Sequence, residues 1–479
     1  MLSCSDKFKQ EYCCTIVRIG ECWPIEGADR IQRTLVNGMD MVISKEIQPG
    51  DIMIYAGNET QLNPDFLYVN NLYGIADFEL NANHEEVSRL QAEGRTDEAK
   101  SLCGFFNKHG RVKMLKLKGV YSFGFLFTPS LLINWMPELK DFDFESKVGT
   151  DFDTVGNFLF VQAYVPIVRE ARHSGKGPQA ADKGPKFDSL IGEFPFHYDT
   201  KQFQRYIEQF KPDDMVSITV KMHGTSAIYR RTECKIHKPL KWWQSVANFF
   251  GKAIGKTFYL NYTIGQDVIY ASRTQIRNRY KRLKLKKGES AIVLDEYGYI
   301  YTQIAGLLDR ETTVYGEIVG YKPGGNKCIQ KGYDYGYPVG TCGFMPYRVV
   351  SHGVELTVPE VIGWTRQLQL KDVDKAKNWV IMPMVYHGRL KNLYRDIPVD
   401  ENWHKNLLAR MKKDKNILGM DLDEPLCNER VPREGVVIRI DNDAKAEGFK
   451  LKCTKFLNKE SKDVDAGIID EESLEVAEA

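Results

Sequence analysis

The sequence predicts an α+β chain of more than one domain, and three observations lead there. Short strand signals punctuated by turns recur through residues 11–127, the pattern of a small β-barrel. A stretch rich in Gly, Pro, Ala and Lys, Ala171 to Lys186 (ARHSGKGPQAADKGPK), then carries no apolar periodicity and marks a boundary. Beyond it come strand-like runs, each setting one or two charges among β-branched and apolar neighbours, with helical segments between them. The expected organisation is a barrel with a helical insertion over 1–170, a linker over 171–190, a larger domain over 191–457 and an acidic tail over 458–479. At 479 residues, 43% hydrophobic and 27% charged, the chain has ample material for a core.

Composition narrows the function classes. The formal net charge is +2, with 66 basic against 64 acidic residues, so any nucleic-acid surface must be a local patch. No apolar run approaches the roughly 20 residues that span a bilayer, and Met1 to Gln10 is polar rather than a signal core. A cytoplasmic location is therefore expected, with no membrane and no obligate protein partner. Ten cysteines without a Cys-x-x-Cys pair argue for reduced thiols and against structural zinc.

Taken in order, Glu11 to Gly20 alternates as a strand, and Trp23 to Ile31 reads as a turn and short helix. Strands follow at Thr34–Val36, Met41–Ile43 and, after the Pro49-Gly50-Asp51 turn, Ile52–Ala56. Asn81 to Lys108 is helical and charged, with Gly94 in its middle. Arg111 to Gly119 alternates basic and apolar residues, so Arg111, Lys113, Lys116 and Lys118 could meet phosphates, or could simply keep an edge strand soluble. Val120 to Phe127 closes the barrel. A helix capped by Asp199 or Thr200 runs to about Phe210, and a strand from Met215 to Val220 follows. Trp242 to Phe250 reads as a helix whose aromatic face packs inward. The basic run from Arg277 through Lys287 is either a phosphate-tracking surface or a solvated helical face, and the glycine-rich stretch from Gly324 to Gly343 is expected to be a mobile loop.

The chemistry concentrates at Val220-Lys221-Met222-His223-Gly224-Thr225-Ser226-Ala227. A strand delivers a lysine to a turn of glycine and hydroxyl residues, which lets backbone approach a phosphate. A lysine attacks only once it sheds its proton, so its ordinary pKa near 10.4 must be lowered. Alone, this could be a plain strand and turn. Further along stand Tyr270-Ala271-Ser272-Arg273-Thr274, then Glu317 within Thr313–Gly320, and then Gly343–Val350 with Phe344 and Tyr347. Last come Arg433-Glu434-Gly435-Val436-Val437-Ile438-Arg439 and Phe449-Lys450-Leu451-Lys452, which puts Lys450 and Lys452 on one strand face.

In this order the runs resemble the motifs of the covalent nucleotidyltransferases: DNA ligases, RNA ligases and mRNA capping enzymes. The histidine of Lys-x-His-Gly looks like the RNA-ligase branch. Pro24–Ile31 and Gly50–Tyr55 resemble the OB-type tRNA-binding module of some aminoacyl-tRNA synthetases. DNA ligases and capping enzymes generally place an OB domain after the last lysine motif, whereas here it would come first, so residues 11–457 are most similar to RNA ligases of the Deinococcus type.

The resemblance implies an N-terminal OB-like barrel and a nucleotidyltransferase domain of antiparallel sheets and helices. It implies that Lys221 takes AMP from ATP, that AMP passes to a 5′ phosphate, and that a 3′-OH then displaces it, at nicks in duplexes. It assigns Val220, Gly224, Thr225, Glu317, Tyr347, Lys450 and Lys452 to the nucleotide, with Tyr347 rather than Phe344 stacking on adenine, and Arg273 to the ribose or the substrate 5′ phosphate. Glu434 and Glu317 would hold Mg2+, or Mn2+ in its place, and His223 would orient a phosphate or the leaving pyrophosphate. Lys450 and Lys452 would bind the α-phosphate and depress the pKa of Lys221. A capping-type guanylyltransferase and a non-catalytic RNA-binding protein on the same fold are the alternatives.

Overall fold

A computed structural model describes residues 1–6, 10–165, 182–183, 193–197, 200–237, 240–253, 255–277, 281–284, 290–417, 423–441 and 447–466. Asp199, most of the expected linker, and Arg279, Lys286 and Lys287 of the basic run lie outside them. Within the expected linker, Asp182–Lys183 forms a strand against Lys281–Lys284, which pairs in turn with Ser290–Val293. The described part of the basic run is therefore a strand rather than a helical face. The fold is mixed α+β with several antiparallel sheets, and the described residues form two compact units: 1–165 with 204–207, and the remainder.

The first unit is made of short antiparallel strands. Cys14–Arg18 pairs with Ile52–Ala56, flanked by Phe125–Phe127 on one side and Asp151–Phe152 on the other. Ile31–Val36 and Met39–Ser44 form a hairpin through Asn37-Gly38, whose φ values of 49° and 71° are those that favour an Asn-Gly turn. Cys14, Ile16, Ile54, Phe66, Phe127, Phe152 and Phe160 form the centre of its core. Helices His84–Ala92 and Thr96–Ser101 meet across Gly94, as the glycine suggested. Two expectations fail here. Trp23 to Ile31 holds no helix; Cys22–Pro24 is a strand against Thr34–Gln32, followed by a turn. Arg111 is buried and bound to Glu59 at 2.6 Å, with its guanidinium 5.2 Å from the Tyr164 ring, so it is not presented to a phosphate.

The second unit holds two five-stranded sheets. The first runs Lys201–Gln202, Gly448–Lys452, Gly435–Ile440, Met215–Lys221, Met384–Arg389. Only its outermost pair, Lys201–Gln202 with Gly448–Lys452, is parallel. The second runs Tyr262–Ala271, Thr225–His237, Thr312–Gly320, Cys342–Ser351, Val354–Glu355, antiparallel throughout. Alternation puts Ala227, Tyr229, Val314 and Phe344 into the main core with helices Glu296–Ile304 and Val358–Lys371. Ile228, Tyr315 and Ile269 bury against Phe194 on the other face.

Three further expectations are revised in this unit. The Gly324–Gly343 stretch is folded in, with Gln330, Tyr333 and Tyr335 buried. Thr454–Asp465 is a helix with Phe456 and Ser461 buried, so the acidic tail does not begin at 458; residues 467–479 lie outside the described set. The aromatic helix, Trp242–Ala253, faces its rings outward. Its polar and small side is the one held: Asn248 donates to Tyr259 O at 2.7 Å and accepts from the Phe258 and Tyr259 N–H groups. Gly251 lets that segment approach so closely that a Cβ would lie 2.4 Å from Lys256 O.

Candidate active site

The site forms where the first sheet passes into the second. Met215–Lys221 is an inner strand of one sheet and Thr225–His237 a strand of the other, so only Met222, His223 and Gly224 join them. Gly224 is required there: its N–H donates to Glu317 Oε1 at 3.1 Å, and a Cβ would lie 2.2 Å from Ile318 O. The turn is buttressed from behind by the tyrosine-bearing segment. Tyr335 OH accepts from the His223 N–H at 2.6 Å, and Gln330 Nε2 donates to Gly224 O at 2.8 Å. Tyr333 and Phe456 meet the His223 ring edge-on, with centroids 4.8 and 4.9 Å away. Thr225 Oγ1 lies 2.9 Å from Tyr297 OH.

Register brings the charges together. Lys221 pairs with Gly435, and Gly435 with Lys452, so the two lysines flank a residue with no side chain. Thr219, Val437 and Lys450 form the next row on the same face. Gly435 has φ +149°, and a Cβ there would lie 2.2 Å from Leu451 O. Glu434, one residue before it, is 3.0 Å from Lys221 Nζ and 3.5 Å from Lys452 Nζ through the same Oε1. Lys452 is shared with Glu460, at 3.1 Å, from the C-terminal helix. The other oxygen, Glu434 Oε2, is buried with no hydrogen-bond partner and lies 3.6 Å from His223 Nδ1. The Glu434 side chain is only 3% exposed, so its charge is tolerable only because cations converge on it.

This electrostatic balance reverses one expectation. Burial pushes the Lys221 pKa down and Lys452 adds to that, but Glu434 and Glu317 outweigh them, and the pKa is raised. Lys221 is thus an ammonium held by carboxylates, not an amine neutralised by its basic neighbours. His223 moves the other way. Burial first, then the Lys221, Lys452 and Lys459 charges, against an opposing Glu460, pushes it down to about 3. Its imidazole is neutral at ordinary pH, so Glu434 Oε2 receives no formal positive charge from it.

The remaining candidates are placed as follows. Val220 is buried in the core on the face opposite Lys221, and its N–H donates to Pro383 O at 2.9 Å. Phe344 is fully buried between Tyr229 and Trp379, which leaves Tyr347 as the ring with an accessible edge. Tyr347 sits at a bulge: Tyr315 pairs with Arg348 and Gly316 with Pro346, so the tyrosine has no opposite residue. The bulge re-aims it, and its hydroxyl lies 3.4 Å from Ser226 Oγ. Ser226 itself pairs with Glu317. Arg273 stands in a turn closed by Ser272 and Gln275, two residues past the Ala271 that pairs with Ile228.

Gln330, Tyr333, Tyr335 and Glu460 escaped the sequence reading. A signal existed for each set: tyrosines at alternating positions 333, 335 and 337, and a helical spacing of Phe456, Glu460 and Ser461.

The residues fit a divalent ion of the magnesium kind. Such an ion keeps several waters and takes one or two carboxylates together with substrate phosphates. Glu434 offers an unengaged buried oxygen, and among the described residues no group of three or more His, Cys, Asp or Glu forms an all-protein cage.

An RNA ligase family model matches residues 214–456, a span that includes Lys221, His223, Glu434 and Lys452. The fold of the chain is similar to that of the Naegleria gruberi RNA ligase with PPi, at a TM-score of 0.52 and 17% identity, covering 95% of this chain and 100% of that one. It is also similar to a variant of that ligase with AMP and Mn, at 0.51 and 18% identity, covering 93% and 98%. No curated protein sequence matches the chain.

Proposed function

The chain belongs to the RNA ligase family and is an ATP-dependent ligase, and from that premise we propose that it joins 3′-OH and 5′-phosphate ends, at nicks in duplexes, through a lysyl-AMP formed on Lys221. The observation that carries this reading is the convergence of two lysines, from the strands on either side of Gly435–Ile440, on one buried carboxylate, Glu434, at 3.0 and 3.5 Å.

In the first step Lys221 Nζ gives up a proton to water and attacks the α-phosphorus of ATP. A P–N bond forms, the bond from that phosphorus to the β-phosphate oxygen breaks, and pyrophosphate departs. Lys452 and Lys450 sit on the face where negative charge grows on the α-phosphate and oppose it. The Gly224 turn fixes the direction from which the amine approaches. Neutral His223, clamped by Tyr333, Tyr335 and Phe456, offers a ring N–H to a phosphate oxygen without adding charge. Tyr347 stacks on the adenine, while Glu317 and Arg273 border the ribose and phosphate side. Glu434 and Glu317 would hold Mg2+ or Mn2+, which would neutralise phosphate charge and draw on the carboxylate charge that now holds Lys221 protonated. AMP then passes to the 5′ phosphate of the broken strand, and the 3′-OH attacks that phosphate and expels AMP. The strand-rich first unit serves as an OB-type module that holds the nucleic acid.

Incubation with ATP labelled at the α-phosphate tests the reading. The wild-type protein should carry label after denaturation, and Lys221→Ala should carry only background. Undiminished label on Lys221→Ala places the nucleophile elsewhere. Labelling by GTP in preference to ATP favours a capping-type guanylyltransferase instead.

A further inference from the structure

The excursion between the lysine turn and the Tyr262–Ala271 strand serves none of the chemistry above. From Cys234 to Gln266 it holds five lysines (Lys235, Lys238, Lys241, Lys252 and Lys256) and no acidic residue. The chain as a whole is nearly balanced, with 66 basic to 64 acidic residues, so this is a local concentration of charge.

Its helix, Trp242–Ala253, is sided in an unusual sense. At 100° per residue, Phe249, Trp242, Val246, Phe250 and Trp243 fall on one continuous arc. That arc points to solvent: Trp242 is 79% exposed, Phe249 75% and Phe250 66%. The opposite side, with Asn248 and Gly251, is the one fastened to the Lys256–Tyr259 segment. Val246 and Trp243, on the same arc, are exposed as well. Isolated exposed rings need no explanation, but a contiguous patch of this kind marks an interaction surface.

We propose that this face is a docking surface for an anionic lipid bilayer, on which the helix lies in the interface plane with its rings among the acyl chains and its lysines at the headgroups. Charge complementarity selects this occupant: the excursion carries lysines and no acidic residue, and Lys241 at the start of the helix and Lys252 beside the arc can reach headgroups while the rings insert. A single-stranded RNA would also welcome lysines and rings, yet bases stack on aromatic faces. Here the aliphatic Val246 sits in the middle of the arc between the rings, and a mixed aliphatic and aromatic face suits acyl chains instead. The lack of a spanning segment is no obstacle. Among the described residues no helix is long and apolar enough to cross a membrane, and an interfacial helix needs only one apolar face.

Flotation of the full-length protein with vesicles tests the proposal. One set contains phosphatidylcholine alone and the other about 30% phosphatidylserine, a composition chosen for its negative surface potential. The protein should float with the serine-containing vesicles at least tenfold more than with phosphatidylcholine, with a blue shift in tryptophan emission. A Phe249→Asp, Phe250→Asp variant should lose both effects while still taking label from ATP, which certifies its fold. A Lys241→Glu, Lys252→Glu variant should lose the preference for anionic vesicles. Equal flotation of the wild type and the Phe249, Phe250 variant, or no flotation with either vesicle, overturns the proposal. Two further outcomes also overturn it: loss of single-stranded RNA binding in that variant without any lipid effect, and a wild-type dimer in solution that the variant abolishes. Adduct formation is read separately, so a failure here leaves the assignment of Lys221 standing.

Discussion

Two regions of the second unit break the ordinary rule of burial in opposite directions. Around Glu434, charges have been taken out of water; along Trp242–Ala253, aromatic rings have been left in it. The first arrangement survives because every charge has an answering charge within a few ångströms. The second survives because a lone apolar face costs a helix little when its polar side is fastened by Asn248. Departures of this kind are where function concentrates. They differ in what a mutation does. A change among buried charges leaves a partner stranded, whereas a change on the exposed face leaves nothing behind.

The contrast orders the expected effects. Lys452→Ala removes one of the two cations on Glu434 and the charge facing the α-phosphate, so single-turnover lysyl-AMP formation should fall about 10²- to 10³-fold. A variant with wild-type adduct yield would detach Lys452 from the site. His223 probes the same buried region through stability. Its folded pKa, about 3, lies below the value near 6.5 of an unfolded histidine. The unfolded chain therefore binds the extra proton in the window from 6.5 down to 3, and stability falls as pH falls through it, by about 1.4 kcal/mol per unit. Urea titrations from pH 7.5 to 4.5 should show a flatter dependence for His223→Asn than for wild type; parallel dependences would mean the imidazole is already protonated in the fold. Tyr347→Ala should raise the KM for ATP about tenfold, roughly 1.4 kcal/mol of lost stacking, with kcat little changed. A change in kcat alone would remove the ring from the nucleotide. Smallest of all, Phe249→Asp should shift unfolding stability by no more than about 0.5 kcal/mol. A loss of several kcal/mol in a chemical melt would mean that the ring is packed, and would erase the contrast.

Much of the buried region was legible in the sequence. Lys221, Glu434, Lys450 and Lys452 lie in runs whose period of two already orients them, and an antiparallel register then needs only Gly435 opposite both lysines. The carboxylate Glu460 was hidden because acidic residues after 457 suggested solvent, although Phe456 and Ser461 carry the helical period that turns one side inward. Tyr333 and Tyr335 were masked by their glycine neighbours, which suggested mobility where hydroxyls and rings build a wall behind His223. The aromatic helix shows a third kind of opacity. Periodicity identified the stripe but carries no sign, and nothing local says whether such a stripe meets a core or the outside. The direction of the Lys221 shift was equally out of reach, since it depends on whether lysines or carboxylates end nearer the amine.

Gly435 makes this cluster readable in genomes. Because Leu451 O would sit 2.2 Å from any Cβ at that position, a homologue can keep both lysines and the glutamate and still be unable to assemble them. Among sequences that share the other signatures, one column of an alignment should separate working enzymes from decayed copies, and alanine there should be as telling as the loss of the nucleophile itself.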